Sequence, residues 1–480
     1  MNPLFPLYEY VPDAEPHVFN DRLYLYGSHD LESGERFCML DYVVYSADVK
    51  NLSTFKYEGV SYKKSQDIRS VDGKLVDYYA PDCVKGNDGK YYLYYCAMGP
   101  NVKPFGPMSV AVSDKPEGPF TYLSDIKNKD GSPLLTYLTN DPAVINDNGH
   151  IYLYYGWGLA RDFRNKLLKP LYSFVQSKLF KRSIKEINHT KPSILSCAFI
   201  ELEDDMFTIK SKPTSVLDSK TTADKRTDLY KHAFYEAPSI RKINDTYYLI
   251  YSSGVNGELC YATSKYPNSN FVYRGVIISN SDIGYKNNKY PKAFAGTIHG
   301  SIEYVNGEYY VFYHRLTQNS NFSRQACAEK IKILDDGSIP QVEITTQGIT
   351  GVMDAKGEYL AALACNYFKR NALKLNKNNV CVTCKDDIRF VTNMSNHSII
   401  GFKYFNINNI QSLKVKYRGN GGTLKLFTDY TQKEIDSILL INSNDFKEAT
   451  FNIQDIKGTN ALYFEYLGKG KIDLLSIEFI

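Results

Sequence analysis

Tryptophan is almost missing from this chain: one stands among 480 residues, with only seven methionines. Long apolar runs are missing too. None approaches the roughly 20 residues that a membrane-spanning helix needs, so no membrane partner is expected. Net charge is small, +4 from 57 basic and 53 acidic residues, so bulk electrostatics give no support to phosphate-backbone binding and no nucleic-acid partner is expected. Cysteines number nine, an odd count, and Cys96, Cys197, Cys260 and Cys327 sit in strand-like runs, where a reduced thiol behaves as a small buried hydrophobe. Cys381 and Cys384 form a lone CxxC without a second pair, a weak metal or redox signal. Residues 1–12 lack the charged and apolar regions of a secretion signal. These features predict a soluble protein in a reducing, cytoplasmic setting.

What the chain has in abundance is tyrosine, 41 residues beside 25 phenylalanines. Tyrosine suits strands and half-wet surfaces, because its ring packs while its hydroxyl reaches a partner. The length predicts two or three domains, and the tyrosines fall in a repeat. DAEPHVFNDRLYLYGS (13–28), APDCVKGNDGKYYLYYC (80–96), NDPAVINDNGHIYLYYG (140–156), YEAPSIRKINDTYYLIYS (235–252) and GTIHGSIEYVNGEYYVFYHR (296–315) share one plan. Each has a polar start, an apolar pair, an Asn/Asp/Gly turn and an alternating aromatic strand. A second two-stranded element follows each copy, as in VVYSADVKNLSTFKYEGV (43–60) and, in the third copy, CAFIELEDDMFTIKS (197–211). Five units of four strands in series predict a five-bladed β-propeller over residues 1–347.

One stretch breaks the period. Residues 161–191 carry nine Lys/Arg against Asp162 and Glu186, with apolar residues at roughly helical spacing; the segment reads as an inserted helical loop with a solvated face. After a linker at 348–360 come about 120 residues of short strands, and 361–480 read as a β-sandwich. The fold class is therefore all-β.

In a propeller the inner strands begin together at one end of the axis, where a pocket forms. The residues at the matching starts are Asp13, Asp82, Asp141, Glu236 and His299, with Asp82 offset by one residue. Carboxylates at four of five converging starts would repel and shift one another's pKa. Paired carboxylates in a tyrosine-rich pocket suit glycoside cleavage, one protonating the leaving oxygen while the other activates water or attacks. A third could keep the acid protonated. Glu15, two residues beyond Asp13, would point the same way in an extended segment. Trp157 reads as either a sugar platform or core packing.

The set VPDAEPHVF…LYLYGS, TNDPAVI…IYLYYG, FYEAPSI…YYLIYSSG and HGSI…YYVFYHR, with the turns VSDKPEGPF and YATSKYP, resembles glycoside hydrolase family 43 over roughly residues 1–345. The resemblance implies an inverting hydrolase acting on arabinose- and xylose-containing glycans, with an oligosaccharide as partner. It implies Asp13 as general base, Glu236 as general acid and Asp141 as the residue that sets the acid's pKa and orients substrate. It places His299 at the pocket floor, beside waters or a bound ion, and Arg324 against the terminal sugar; Asp82 is a secondary substrate-binding candidate. No cofactor is required, and a structural calcium ion fits the family pattern. Within the family the expected activity is β-xylosidase, α-L-arabinofuranosidase or both. Endo-arabinanase action and a non-catalytic carbohydrate-binding propeller are the alternatives. NALYFEYLGKGKIDLLSIEFI is similar to the end of a family 6 carbohydrate-binding module.

Overall fold

The aromatic repeats fold into sheets because each alternates between two buried faces, one for each neighbouring sheet. The computed structural model describes residues 1–99, 102–160, 162, 169–190 and 193–480. The first blade consists of Glu15–Phe19, Arg22–Tyr26, Tyr42–Asp48 and Asn51–Tyr62, paired in that order. The second is Asp77–Lys85, Tyr91–Met98, Ser109–Ser113 and Thr121–Asp125; the third is Ala143–Asp147, His150–Trp157, Ser196–Leu202 and Thr214–Asp218. The fourth is Glu236–Ile243, Thr246–Ser252, Glu258–Ser264 and Val272–Ser279. Tight turns at Asn20-Asp21, Asn148-Gly149 and Asn306-Gly307 place both central residues at positive φ, the geometry that matches strand twist in two-residue hairpins.

Two details differ from the expected four-strand unit. The third blade's outer strand is Thr214–Asp218, beyond the expected 197–211 segment. The fifth blade has three named strands, Ser301–Val305, Glu308–Leu316 and Arg324–Ile331, and the chain's own start lies against its outer edge. Leu4 N–H donates to the Ala326 carbonyl. The Asn2 side chain accepts from Ala328 N–H and donates to the Ala328 and Thr345 carbonyls and to Glu329. Asn2 thereby supplies from a side chain the bonds an edge strand would supply from backbone. Packed layers between adjacent blades complete the ring, with Tyr26, Tyr42, Tyr78 and Tyr95 between the first and second and Leu23, Val43, Phe312 and Ala328 between the fifth and first.

The expected linker 348–360 is already partly sandwich. Met353–Asp354 pairs with Ser398–Ile407, and Gly357–Leu360 pairs with Ile472–Phe479. Two six-stranded sheets enclose an apolar core that includes Phe402, Phe405, Val415, Phe464 and Ile477. The sandwich is bonded firmly to the propeller. Buried Lys403 lies 3.0 Å from Asp282 and 2.9 Å from Glu343, and Arg315 donates to the Ala362 and Ala364 carbonyls.

The inserted segment contains helices Lys169–Phe180 and Ile184–His189, the second opened by a reciprocal Ser183–Glu186 cap. The rest of the expected insertion, 161, 163–168 and 191, lies outside the described residues. Among the described residues no helix is long and apolar enough to cross a membrane.

Replacing Asn2 by Ala leaves the buried Ala328 N–H without a partner and takes one donor from the Glu329 carboxyl, which keeps its bonds from Thr345 and Tyr313. Asn2→Ala is expected to cost about 2 kcal/mol, read as a lower denaturant midpoint at unchanged slope.

Candidate active site

The strand ladders assign each blade start its depth. Glu15 pairs with Tyr26, Asp82 with Tyr94, Ala143 with Tyr154, Ser239 with Ile250 and Ser301 with Phe312. These five residues are therefore equivalent and form one tier around the axis. Two residues earlier in each blade stand Asp13, Ala80, Asp141, Ala237 and His299, the tier at the pocket. In the first four blades this residue has positive φ, 59° at Asp13, 39° at Ala80, 49° at Asp141 and 61° at Ala237, an uncommon backbone state for residues with a Cβ.

Asp82 is thus two residues out of register with Asp13, not one, and it is no pocket residue. It is fully buried in the deeper tier, accepting from Val144 N–H at 2.7 Å and Cys83 N–H at 2.7 Å and contacting His17 Nε2 at 2.6 Å. It staples the second blade to the third. Ala80 takes its expected place in the pocket lining. Glu236 reaches the pocket from one residue before the tier, because the ladder slips between Glu236 and Ser239. Such a bulge re-aims a side chain that strict alternation would turn away.

A cavity of about 420 Å³ gathers Asp13, Asp141, Glu236, His299, Arg324 and Trp157, with Phe37, Tyr79, Phe105 and Tyr235 among its walls. Burial would raise the Asp13 pKa, but Arg324, His299 and His314 outweigh it and hold the carboxyl at about 2. Arg324 Nη1 donates to both Asp13 oxygens at 2.8 and 2.9 Å, while Nε and Nη2 bind Asp30 at 2.8 and 2.9 Å. The donors expected to meet sugar are therefore turned to two buried carboxylates. His314 accepts from Asp13 N–H through Nδ1 and donates from Nε2 to the Thr297 carbonyl; burial keeps it neutral, its pKa near 3.

Glu236 has the opposite environment. Burial and the nearby Asp141 charge push its pKa up to about 8. Asp141, itself raised by burial, accepts from Ala237 N–H at 3.0 Å, which ties it to the backbone beside Glu236. Trp157 Nε1–H donates to Glu236 Oε2 at 3.1 Å, so the indole is a hydrogen-bond partner of this carboxyl as well as a wall. Burial lowers the pKa of His299, but Glu15, Asp13 and Asp141 overcome it and raise it to about 9.

Sequence reading missed Asp30, His314 and the aromatic walls. His314 stands in FYHR, within the fifth repeat, and Asp30 two residues beyond the end of the first, but nothing in their spacing marks them as partners of Asp13. The sandwich also reaches this wall. Arg389 pairs with Glu32 at 2.7 Å, and Val382 N–H donates to the Thr317 carbonyl. Asn319 donates to the Asn376 and Val380 carbonyls. These contacts hold the two loops whose Phe37 and Phe322 rings meet edge to face at 4.7 Å.

Residues 10–339 match Glycosyl hydrolases family 43. The chain belongs to this family. It is 39% identical to a xylosidase/arabinosidase from Thermoclostridium stercorarium across 99% of this chain and 98% of that one. Among solved structures it is similar to a family 43 enzyme from Xanthomonas citri complexed with xylose, at 28% identity and TM-score 0.53, over 71% of this chain and 92% of that one. It is also similar to a family 43 β-xylosidase/α-arabinofuranosidase from a compost metagenome complexed with xylotriose in a calcium-free form. That match has 26% identity and TM-score 0.54, over 72% of this chain and 97% of that one. Family membership makes the chain a glycosidase, and the pocket is its candidate active site.

Below the floor of this family 43 pocket, Glu15 Oε1 and His299 Nε2 are buried without a hydrogen-bond partner, 3.8 Å apart. The other Glu15 oxygen meets Arg241 Nη2 at 3.2 Å and the Ser239 hydroxyl at 3.1 Å. Two orphaned acceptor or donor atoms at this separation fit a bridging water or a small cation. One carboxylate oxygen and one imidazole nitrogen are few for calcium, which takes six to eight oxygen ligands, so water would complete its shell.

Arg324→Gln leaves Asp13 and Asp30 buried without their shared cation. The variant is expected to lose about 3–5 kcal/mol of stability and most of its activity, measured by thermal melting and by glycoside hydrolysis.

Proposed function

We propose that this enzyme removes terminal pentose residues from xylan- or arabinan-derived oligosaccharides, as a β-D-xylosidase, an α-L-arabinofuranosidase or both, with inversion. The observation that carries this reading is the opposite protonation of two carboxyls in one pocket. Asp13 is held ionised by Arg324, and Glu236 is held protonated by burial and by Asp141. Similarity to a xylosidase/arabinosidase along nearly the whole chain supports the pentose. The small cavity supports action on a chain end, and nine cysteines without a disulfide accord with a reducing, cytoplasmic site of action on small imported oligosaccharides.

In this mechanism Asp13 takes a proton from water as the water oxygen bonds to the anomeric carbon. The bond to the leaving sugar breaks on the opposite face, and its oxygen receives the proton from Glu236. Inverting pairs stand roughly 6.5–9.5 Å apart to admit that water. Asp141 keeps the proton on Glu236 until the leaving oxygen takes it, since two neighbouring buried carboxyls resist joint ionisation. His299 sets positive charge between Asp13 and Glu15, 3.9 and 3.8 Å from their oxygens. A calcium ion bound beneath the pocket would be held by Glu15 and by His299 in its unprotonated form, and would supply the positive charge there in place of the imidazolium. The sandwich acts in this reading chiefly as a brace for the Phe37 and Phe322 wall.

Hydrolysis of nitrophenyl β-xyloside and α-L-arabinofuranoside, with the first-formed anomer followed by NMR, tests the assignment. Inverted product is expected; retained product would reject the single-displacement mechanism, and no hydrolysis of either would favour a binding propeller. Asp13→Asn is expected to lower kcat at least a thousandfold with the fold intact. Activity on unactivated disaccharide should fall as pH rises through about 8, where Glu236 loses its proton. Glu236→Gln should abolish that limb together with most of the rate.

A further inference from the structure

The inserted hairpin looks peripheral, yet one of its side chains reaches the catalytic acid in two contacts. Phe180, the last residue of helix Lys169–Phe180, is fully buried. Its ring meets Trp157 edge to face at 5.8 Å and Phe105 at 5.5 Å. Trp157 in turn packs on Phe105 at 5.3 Å and on Tyr235 at 5.6 Å, and its indole N–H is the donor to Glu236. Arg182, just past the helix, is buried and donates to the Phe105 carbonyl. Phe180 also joins Leu138, Ile187, Ile194 and Leu195 in a small separate core, so the hairpin is anchored where it meets the indole. Gly158 N–H donates to the Tyr235 carbonyl, binding the indole's own strand end to the chain that carries Glu236.

We infer that Phe180 is a positioning residue for acid catalysis: the inserted hairpin fixes the Trp157 indole, and the indole fixes the carboxyl of Glu236. The inference rests on the reading of Glu236 as the acid. An indole has a single donor in the ring plane, so its direction is set by whatever clamps the ring. Phe105, Tyr235 and Phe180 form that clamp, and among the described residues Phe180 is its one member from the insertion. Removing Phe180 opens space beside the indole and lets the N–H swing from Glu236 Oε2. The carboxyl then loses the bond that holds one oxygen and leaves the other to face the leaving group. Proton delivery is a matter of hydrogen-bond reach, so the defect falls on that step and spares the attack of water by Asp13.

Leaving-group dependence separates this role from general damage. A dinitrophenolate departs without protonation, whereas a sugar alkoxide needs it. Phe180→Ala is expected to lower kcat about tenfold or more on the pentose disaccharide, within the range general acids contribute, and to change kcat on the dinitrophenyl pentoside less than about twofold. Trp157→Phe keeps a ring and deletes the N–H, and should lose more rate on the disaccharide than on the dinitrophenyl pentoside, whatever loss the altered pocket wall adds on both. Phe180→Leu, which keeps apolar bulk, should recover part of the disaccharide rate; it also carries the test at smaller size if Phe180→Ala does not fold. Equal losses on both substrates in the Phe180 variants, or no loss on either, would overturn the inference. Glu236→Gln is the control for the underlying reading: if it too slows both substrates equally, Glu236 is not the acid.

Discussion

Arg324 lies buried between Asp13 and Asp30, and the site depends on that arrangement. The propeller brings Asp13, Asp141, Glu236 and Glu15 toward one axis, and ionised carboxyls at that density repel strongly in a low dielectric. Arg324 resolves the conflict unequally. It bonds Asp13 through two contacts and Asp30 through two more, so one positive charge serves both carboxylates. The Asp13 carboxyl is thereby held well below the usual carboxylate range. The repulsion that remains falls on Asp141 and Glu236, and burial pushes their shared proton toward Glu236. Which carboxyl is ionised and which is protonated thus follows from where one guanidinium points.

The backbone enforces this by a common device. Four blades enter the axis through a residue at positive φ, which turns the chain from the pocket rim into the inner strand. In the fourth blade the turn carries an extra residue, and the slip swings Glu236 inward where Ala237 holds the tier position. The deeper tier is structural. Asp82 bonds the second blade to the third, Ser239 donates to Ser301 across the fourth and fifth, and Arg241 joins Glu15 to Glu303. Such hydrogen-bonded polar groups add directional constraints that an apolar axis would lack.

Elements outside the ring reach the same pocket from two sides. The sandwich grips the Glu32 and Thr317–Ser323 loops and so supports Phe37 and Phe322. The inserted hairpin supports Phe105 and Trp157. Aromatic walls on loops need such support, because an unbraced loop end pays ordering entropy each time substrate binds. Phe180 packs on Trp157 beside Glu236, and the Phe37 ring covers the Arg324 guanidinium at 4.7 Å, where exclusion of water strengthens every charge interaction within.

Much of this was legible in sequence for one reason: repetition. Five copies of a turn and an aromatic strand identify the propeller, and their starts pick out Asp13, Asp141, Glu236 and His299 with no coordinates at all. Alignment of turns goes astray where a turn is longer: five residues separate Lys85 from Tyr91 where two separate Phe19 from Arg22, so Asp82 was brought to the pocket when its ladder partner Tyr94 places it one tier below. The fourth strand of the fifth blade was sought in the next segment, whereas the chain's first residues occupy that edge. Arg324 was read as a sugar ligand, Trp157 as a platform or core ring, and Asp30 and His314 passed unnoticed. These four residues act through partners distant in sequence, such as Arg324 and Asp13, 311 positions apart. A repeat records which residues share a place in the blade, because local periodicity sets which face and depth a side chain occupies. Which partner each one meets, and therefore which carboxyl keeps its proton, was decided only when the ring closed and burial made those few distances dominate.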